Sequence, residues 1–293
     1  MDRYRSIVVL LLIAFSHSLA VAQSSPEQRA LLYAEKLYQD GFYEIAIEQY
    51  RQYLSDFPRG GERAKAELQI GRALVELKQF DEARKTFLEV DLDYPGSREA
   101  QTALWLLAAS FDQEEKWERD AKAYQRLFLY YPEGDSAKIA LLNGADNALK
   151  AQNDNLATSL LNAVIDNYYS AIEAIEARIK LSELYDRQNN RRLAWNELDK
   201  ALYSSPTDMQ RGRILMRRAQ VAEDLFGKSR ATQIYNTIID DFKRDTLADR
   251  ATLELGRLAL VQQQYERATE YFNKAQDSDA RDIRGRGFEY HGD

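Results

Sequence analysis

Apolar side chains recur three and four positions apart along most of the chain, with polar side chains between them. Such spacing is typical of a helix that has one face in a core. Short polar breaks interrupt it at regular intervals, so it predicts a helix, a short turn and a second helix in each stretch of 37 residues. In the second stretch the apolar stripe consists of Leu68, Gly71, Leu74 and Val75, and then of Phe80, Ala83, Phe87 and Val90.

Three kinds of residue repeat with this period of 37. We expect the small residue of each first helix to meet the alanine of the second, so that the two backbones approach closely. Proline follows the second helix at the same position in four of the repeats. It ends a helix because it lacks an amide hydrogen and disfavours α geometry in the residue before it. The small series is Ala34, Gly71, Ala108, Ala145, Ser182, Ala219 and Gly256; the large series is Tyr50, Phe87, Tyr124, Leu161, Leu198, Tyr235 and Phe272; the alanine series is Ala46, Ala83, Ala157, Ala194, Ala231 and Ala268, broken only by Asp120; the prolines are Pro58, Pro95, Pro132 and Pro206.

These positions resemble the tetratricopeptide repeat family, which shares the small residue, the early alanine, the aromatic four residues after it and the closing proline. The resemblance covers about Glu27 to Ser278. Two features depart from the family pattern: Trp105 stands one residue later than the family's first-helix tryptophan, and the period exceeds the common 34 residues. The resemblance implies an all-α, right-handed superhelical solenoid of about seven helix-turn-helix units over residues 23–279.

The segment between one repeat and the next (the joint) is longer than is common in that family, and the first helices are rich in alanine. Both features are similar to bacterial envelope members of the family. Those members are the periplasmic repeat protein of the Tol-Pal system and the repeat lipoprotein of the outer-membrane barrel assembly machine. The chain has no N-terminal coiled coil like the first and no lipidated cysteine like the second, since it has no cysteine at all. Neither identity therefore carries over to this chain.

The N-terminus has the three parts of an export signal in their usual order. We expect residues 1–22 to be a signal peptide that is cleaved before Gln23. A buried N-terminal helix is the alternative, but a membrane span is not, because a span needs about 20 apolar residues. The parts are the basic Arg3 and Arg5, the apolar run Ile7–Phe15 and the small-x-small sequence Ala20-Val21-Ala22.

Export predicts a periplasmic protein, with secretion from the cell as the alternative. The chain contains 47 acidic and 40 basic residues, and this excess of acid argues against a nucleic-acid partner. Without cysteine, neither a disulfide framework nor a lipid anchor after the signal is possible. No later apolar run approaches the length of a membrane span, so we expect none.

Catalytic motifs are not found in the sequence. The only histidines are His17, inside the predicted signal, and His291, close to the end. Ser-His-Asp and Cys-His sites and the common zinc ligands are thereby excluded, and no phosphate-binding glycine loop occurs. Acidic pairs are too numerous to indicate a carboxylate enzyme. We therefore predict a protein that is not an enzyme and that has no catalytic residue, cofactor or metal.

The resemblance implies binding of an extended peptide or a helix along an inner groove formed by the first helices. From the third to the sixth unit the groove candidates are mostly acidic, which favours a basic or polar segment of the partner. The alternative is a solvated helix face in an acidic protein. The candidates follow the small residue of each first helix: Tyr38, Arg72, Asp112, Asp146, Glu183, Asp186, Arg187, Glu223, Asp224 and Arg257.

Residues 280–293 are rich in glycine and arginine and do not continue the pattern. They are either a tail or the start of a truncated further repeat, and an uncapped last repeat would permit self-association. The sequence thus predicts a non-enzymatic scaffold or adaptor in the cell envelope, in outer-membrane biogenesis, secretion or cell division. Its partners would be other envelope proteins or peptides. The alternative is an accessory module of an envelope enzyme or of a longer protein.

Overall fold

The computed structural model describes residues 25–134, 136–243 and 245–276. Within these ranges the chain forms fourteen α-helices and no strand, so the predicted all-α class and the helix-turn-helix repeat are confirmed. The predicted signal peptide, residues 1–22, and the C-terminal segment, residues 280–293, lie outside the described residues.

Contacts divide the chain into two compact units, one up to Asn153 and one from Asp154 onward. The division falls inside the fourth repeat, between its two helices. The helices of the first unit are α1 (Pro26–Gln39), α2 (Tyr43–Asp56), α3 (Arg63–Glu76), α4 (Phe80–Asp93), α5 (Arg98–Asp112), α6 (Trp117–Tyr130) and α7 (Ala137–Lys150). Those of the second unit are α8 (Asp154–Asn167), α9 (Ile172–Arg187), α10 (Arg191–Tyr203), α11 (Asp208–Phe226), α12 (Lys228–Asp241), α13 (Thr246–Val261) and α14 (Tyr265–Gln276).

Side-chain caps begin several of these helices. Ser25 and Gln28 form a capping box at the start of α1, and Thr207 and Gln210 form another at α11. In each box the hydroxyl accepts from the backbone N–H of the glutamine, and the glutamine side chain accepts from the backbone N–H of the cap. Both motifs satisfy amide groups that have no partner inside the helix.

The turn between the two helices of a repeat has a fixed backbone form. The chain takes one left-handed residue after the first helix, which ends that helix. Glycine supplies it in the first repeat, where Gly41 has φ 83°. In five later repeats a larger residue occupies the same phase: Lys78, Glu115, Gln152, Asn189 and Gln263, with φ between 56° and 62°.

The packing inside a hairpin brings a small residue of the first helix against a large ring of the second helix. A Cβ atom added at Gly71 would lie 2.4 Å from Cε1 of Phe87, and one at Gly256 would lie 2.4 Å from Cε1 of Phe272. At these two positions the small residue of the first helix therefore makes room for the large ring of the second helix, a contact that the sequence did not predict. Phe87 and Phe272 are thereby almost completely buried.

Candidate functional site

In the first unit, polar contacts join neighbouring first helices beside the predicted groove residues. Lys65 Nζ of α3 lies 2.5 Å from Glu35 Oε1 of α1. Tyr38 is partly buried, and its ring makes an edge-on contact with Tyr43, with 5.4 Å between centroids. Burial and then the Glu76 carboxylate raise the pKa of Tyr38, while Arg72 acts in the opposite direction. The structure thus brings the candidates Tyr38 and Arg72 together.

Two further candidates lie near the ends of α5 and α7. Asp112, at the end of α5, is exposed, and its Oδ1 lies 3.7 Å from Lys150 Nζ. The same ammonium group stands 4.3 Å from the ring centroid of Trp117, a distance suited to a cation–π contact. Asp146 is partly buried one turn before Lys150. The α5–α7 end of the face therefore has both signs of charge and an aromatic ring.

In the second unit the acidic candidates have arginine partners. Asp186 of α9 lies 2.5 Å from Arg191 Nη1 through Oδ1 and 3.2 Å from Arg217 Nη2 through Oδ2. Arg191 also donates from Nε to Asp224 Oδ2 at 2.7 Å, and this hydrogen bond raises the pKa of Arg191. The exposed Arg187 lies 3.6 Å from a carboxylate oxygen of Asp154. These contacts connect α8, α9, α10 and α11.

A second group of charges connects α11 with α13. Arg257 donates from Nη1 and Nη2 to the two carboxylate oxygens of Glu223, the shorter contact being 2.5 Å. Its Nε donates to Glu254 at 2.8 Å. Both hydrogen-bonded carboxylates raise the pKa of Arg257. Glu183 is partly buried on α9, and its charge acts on Arg213.

Arginines that are not among the predicted groove residues pair with acids of the second unit. Arg213 donates to both oxygens of Glu176 at 2.8 and 3.0 Å, which adds a bidentate pair between α9 and α11. Arg191 and Arg217 hold Asp186 as described. The face of these first helices therefore has mixed charge. The sequence did contain a signal for the ion pairs of Arg213 and Arg217. In each of them the acid and the base are 31 to 37 residues apart, which places them on neighbouring repeats.

The Glu223 and Arg257 pair offers a test of these contacts. Because both side chains are only 21% and 30% exposed and the contact is bidentate, we expect a coupling free energy of about 1 kcal/mol from a double-mutant cycle with Glu223→Gln and Arg257→Gln. Urea unfolding of the four proteins measures it. The exposed Lys85–Glu89 pair, 3.7 Å apart, is the matched control and should show almost none. Additive effects at Glu223 and Arg257 would contradict the contact.

The fold defines the chain as a helical-repeat protein. Residues 65–97, which span α3, α4 and the joint after it, match the tetratricopeptide repeat family by sequence. This segment is therefore a tetratricopeptide repeat, and proteins built from such repeats are generally non-catalytic scaffolds for protein–protein interaction. No curated protein matches this chain in sequence at a significant level.

Solved structures share the fold at low sequence identity. The C-terminal part of a tetratricopeptide repeat-containing protein from Cytophaga hutchinsonii is 13% identical, with a TM-score of 0.59, and the match covers 87% of this chain and 98% of that chain. A chain in the structure of Naa15/Naa10 bound to HypK-THB is 12% identical, with a TM-score of 0.55, and the match covers 92% of this chain and 39% of that one. At this identity the likeness concerns the fold alone.

Neither a metal-binding cluster nor a membrane-spanning helix is found in the described ranges. No group of three or more His, Cys, Asp or Glu side chains there is placed to hold a metal ion. No helix there has the length and apolar character that crossing a membrane requires.

Proposed function

We propose that the protein is a non-enzymatic adaptor of the bacterial cell envelope, in outer-membrane biogenesis, secretion or cell-division machinery. Its first helices would bind segments of other envelope proteins. The observation that carries this proposal is the charged face of the first helices, where polar side chains join α1 to α3 and α5 to α7 in the first unit, and α9 to α11 and α11 to α13 in the second. A face of this kind can recognise a partner along several repeats at once.

The sequence of the N-terminus supports export. The basic residues, the apolar run and the cleavage motif together occupy residues 1–22. The mature chain would begin at Gln23 and function in the periplasm. Since the chain has no cysteine, it would be held at the envelope by its partners and not by a lipid.

Charge distribution supports a more specific choice of binding face. Residues 25–153 contain 23 acidic and 17 basic side chains, whereas residues 154–276 contain 18 of each. The acidic candidates Asp186, Glu223 and Asp224 are already held by arginines. The excess of acid in residues 25–153 favours docking of a basic or polar partner segment on the first helices of the first unit, near Tyr38 and the exposed Asp112.

Crosslinking pull-down from envelope extracts of the source cells tests this proposal. The variant Glu35→Lys with Lys65→Glu exchanges the two charges of a first-helix pair and keeps the net charge. We expect it to recover at least about tenfold less of the envelope protein that the mature chain recovers, because charge complementarity is reversed at that point.

The chain offers a matched control. Arg51 of α2 and Glu82 of α4 form a 3.1 Å pair between second helices. The exchange Arg51→Glu with Glu82→Arg should leave recovery unchanged. Equal recovery by both variants would show that the first-helix face is the wrong surface. Absence of any envelope protein with the mature chain itself would contradict the adaptor role.

A further inference from the structure

Asp120 breaks the alanine series of the repeats. It stands at the start of α6, where six other repeats have alanine, and none of its surface is exposed. In α6 this position lies against the first helix of the next repeat, since Asp120 contacts Asn147 of α7. A carboxyl group in the same place adds charge to a packed joint, and burial of a charge is costly unless it is well paired.

The pairing of Asp120 is incomplete. Its Oδ2 accepts a hydrogen bond of 2.8 Å from Asn147 Nδ2 of α7, and Asn147 is also buried. Its Oδ1 is buried and has no hydrogen-bond partner among the described residues. One period earlier the same two phases hold Ala83 and Ser110, and two periods earlier Ala46 and Ala73. The polar Asp120–Asn147 pair is thus particular to the contact between α6 and α7.

The charged groups around Asp120 oppose each other. Asp112 of α5 makes ionisation of Asp120 less favourable, whereas Lys150 of α7 makes it more favourable. Tyr124, on α6 itself, has its pKa raised to about 12, by its own burial first and also by Asp120. Burial is the largest effect on Asp120, and it raises the pKa of this carboxyl group to about 7.

We propose that the α6–α7 contact is a pH-sensitive joint, closed when Asp120 carries its proton and loosened when Asp120 is ionised. The neutral acid keeps the hydrogen bond from Asn147 and leaves only an uncharged O–H group without a partner, which costs less than an unpaired charge. The carboxylate has one oxygen without a donor, so ionisation favours states in which α6 and α7 separate enough for water to reach Oδ1.

The joint lies beneath Asp112 and Lys150, which belong to the proposed binding face. Loosening of α6 and α7 would change the separation of these two charges, 3.7 Å in the closed form. This link to partner binding rests on the proposed function. The joint itself does not depend on it.

Hydrogen exchange of the full mature chain between pH 5 and pH 8 tests the joint. After correction for intrinsic exchange rates, amides of α6 and α7 should lose protection on the order of 10- to 100-fold as pH rises, because opening then releases a proton from Asp120. Amides of α10 and α12, in the second unit, should not follow that profile. Equal pH dependence of α6, α7 and the second-unit helices would overturn the proposal.

Two variants assign the effect to Asp120. Asp120→Asn keeps the shape and cannot ionise, and Asp120→Ala with Asn147→Ala recreates the Ala46–Ala73 pair. Both should keep α6 and α7 protected at pH 8. Glu118→Gln is the control, because Glu118 is an exposed acid of the same helix paired with Lys122 at 2.7 Å. If the two Asp120 variants lose protection as the wild type does, another group is responsible.

Discussion

Replacing Gly71 with valine is expected to lower the free energy of unfolding by about 3 kcal/mol. Gly71 is buried in α3, and even a Cβ atom would lie 2.4 Å from the Phe87 ring. Real side chains do not approach so closely, so the ring or the helix must shift. The two further methyl groups of valine increase the displacement. Urea denaturation followed by circular dichroism measures the change.

The fourth repeat indicates which second substitution should recover the stability lost at Gly71. In the fourth repeat the same two phases hold Ala145 and Leu161. Gly71→Ala should therefore destabilise less than valine, and adding Phe87→Leu should recover at least about 1 kcal/mol because the ring is no longer in the way. Gly61→Val is the control, since nothing lies within 4 Å of a Cβ there. Equal losses at Gly61 and Gly71 would show that the Phe87 contact is not the cause.

The pair Asp120→Ala with Asn147→Ala is expected to raise the free energy of unfolding by about 2 to 4 kcal/mol at pH 8. The pKa of Asp120 is about 7 in the folded protein, against 3.8 when unfolded. Between these values unfolding releases a proton, so stability decreases as pH rises, by about 1.4 kcal/mol for each pH unit. Above pH 7 both states are ionised and the loss stays constant.

Urea titrations at pH 4, 6 and 8 measure this dependence. At pH 4 the double variant and the wild type should differ little, because Asp120 is neutral in the folded state and its half-ionisation in the unfolded state is worth only about 0.5 kcal/mol. The advantage of the variant should then increase up to pH 7. Asp120→Ala alone should gain less, since it leaves the buried amide of Asn147 without its acceptor. A difference that is the same at all three pH values would contradict the raised pKa.

Periodicity predicted the helices because each hairpin has to bury one face, and that requirement is visible in every repeat. The turn residues were harder to predict. Lys78, Glu115 and Gln152 adopt positive φ, although none of them is a glycine, the residue that usually takes this conformation. Their conformation follows from the position between two packed helices, and residue type has little part in it. The contact between Gly71 and Phe87 was missed for a related reason, since it depends on how the two helices cross.

The candidate site was predicted in part. Their position within the 37-residue repeat placed Tyr38, Asp112 and Asp186 on first helices, and they lie on first helices in the structure. The position within the repeat did not indicate that Arg191 and Arg217 reach Asp186. The first contact depends on how the two helices of one repeat cross, and the second depends on the angle between consecutive repeats. The sequence shows Asp120 as the break in the alanine series. Its burial and its unpaired oxygen depend on how α6 and α7 pack together, which periodicity does not indicate.

The recurring left-handed turn has a consequence for the history of the chain. Because the first helix of most repeats ends in the same backbone form at the same phase, a hairpin can be copied or lost as a block of 37 residues without a new turn having to arise. Such arrays can grow or shorten by unequal recombination of the gene. Point mutations then differentiate the copies, and Asp120 is the kind of difference that a copied alanine can acquire.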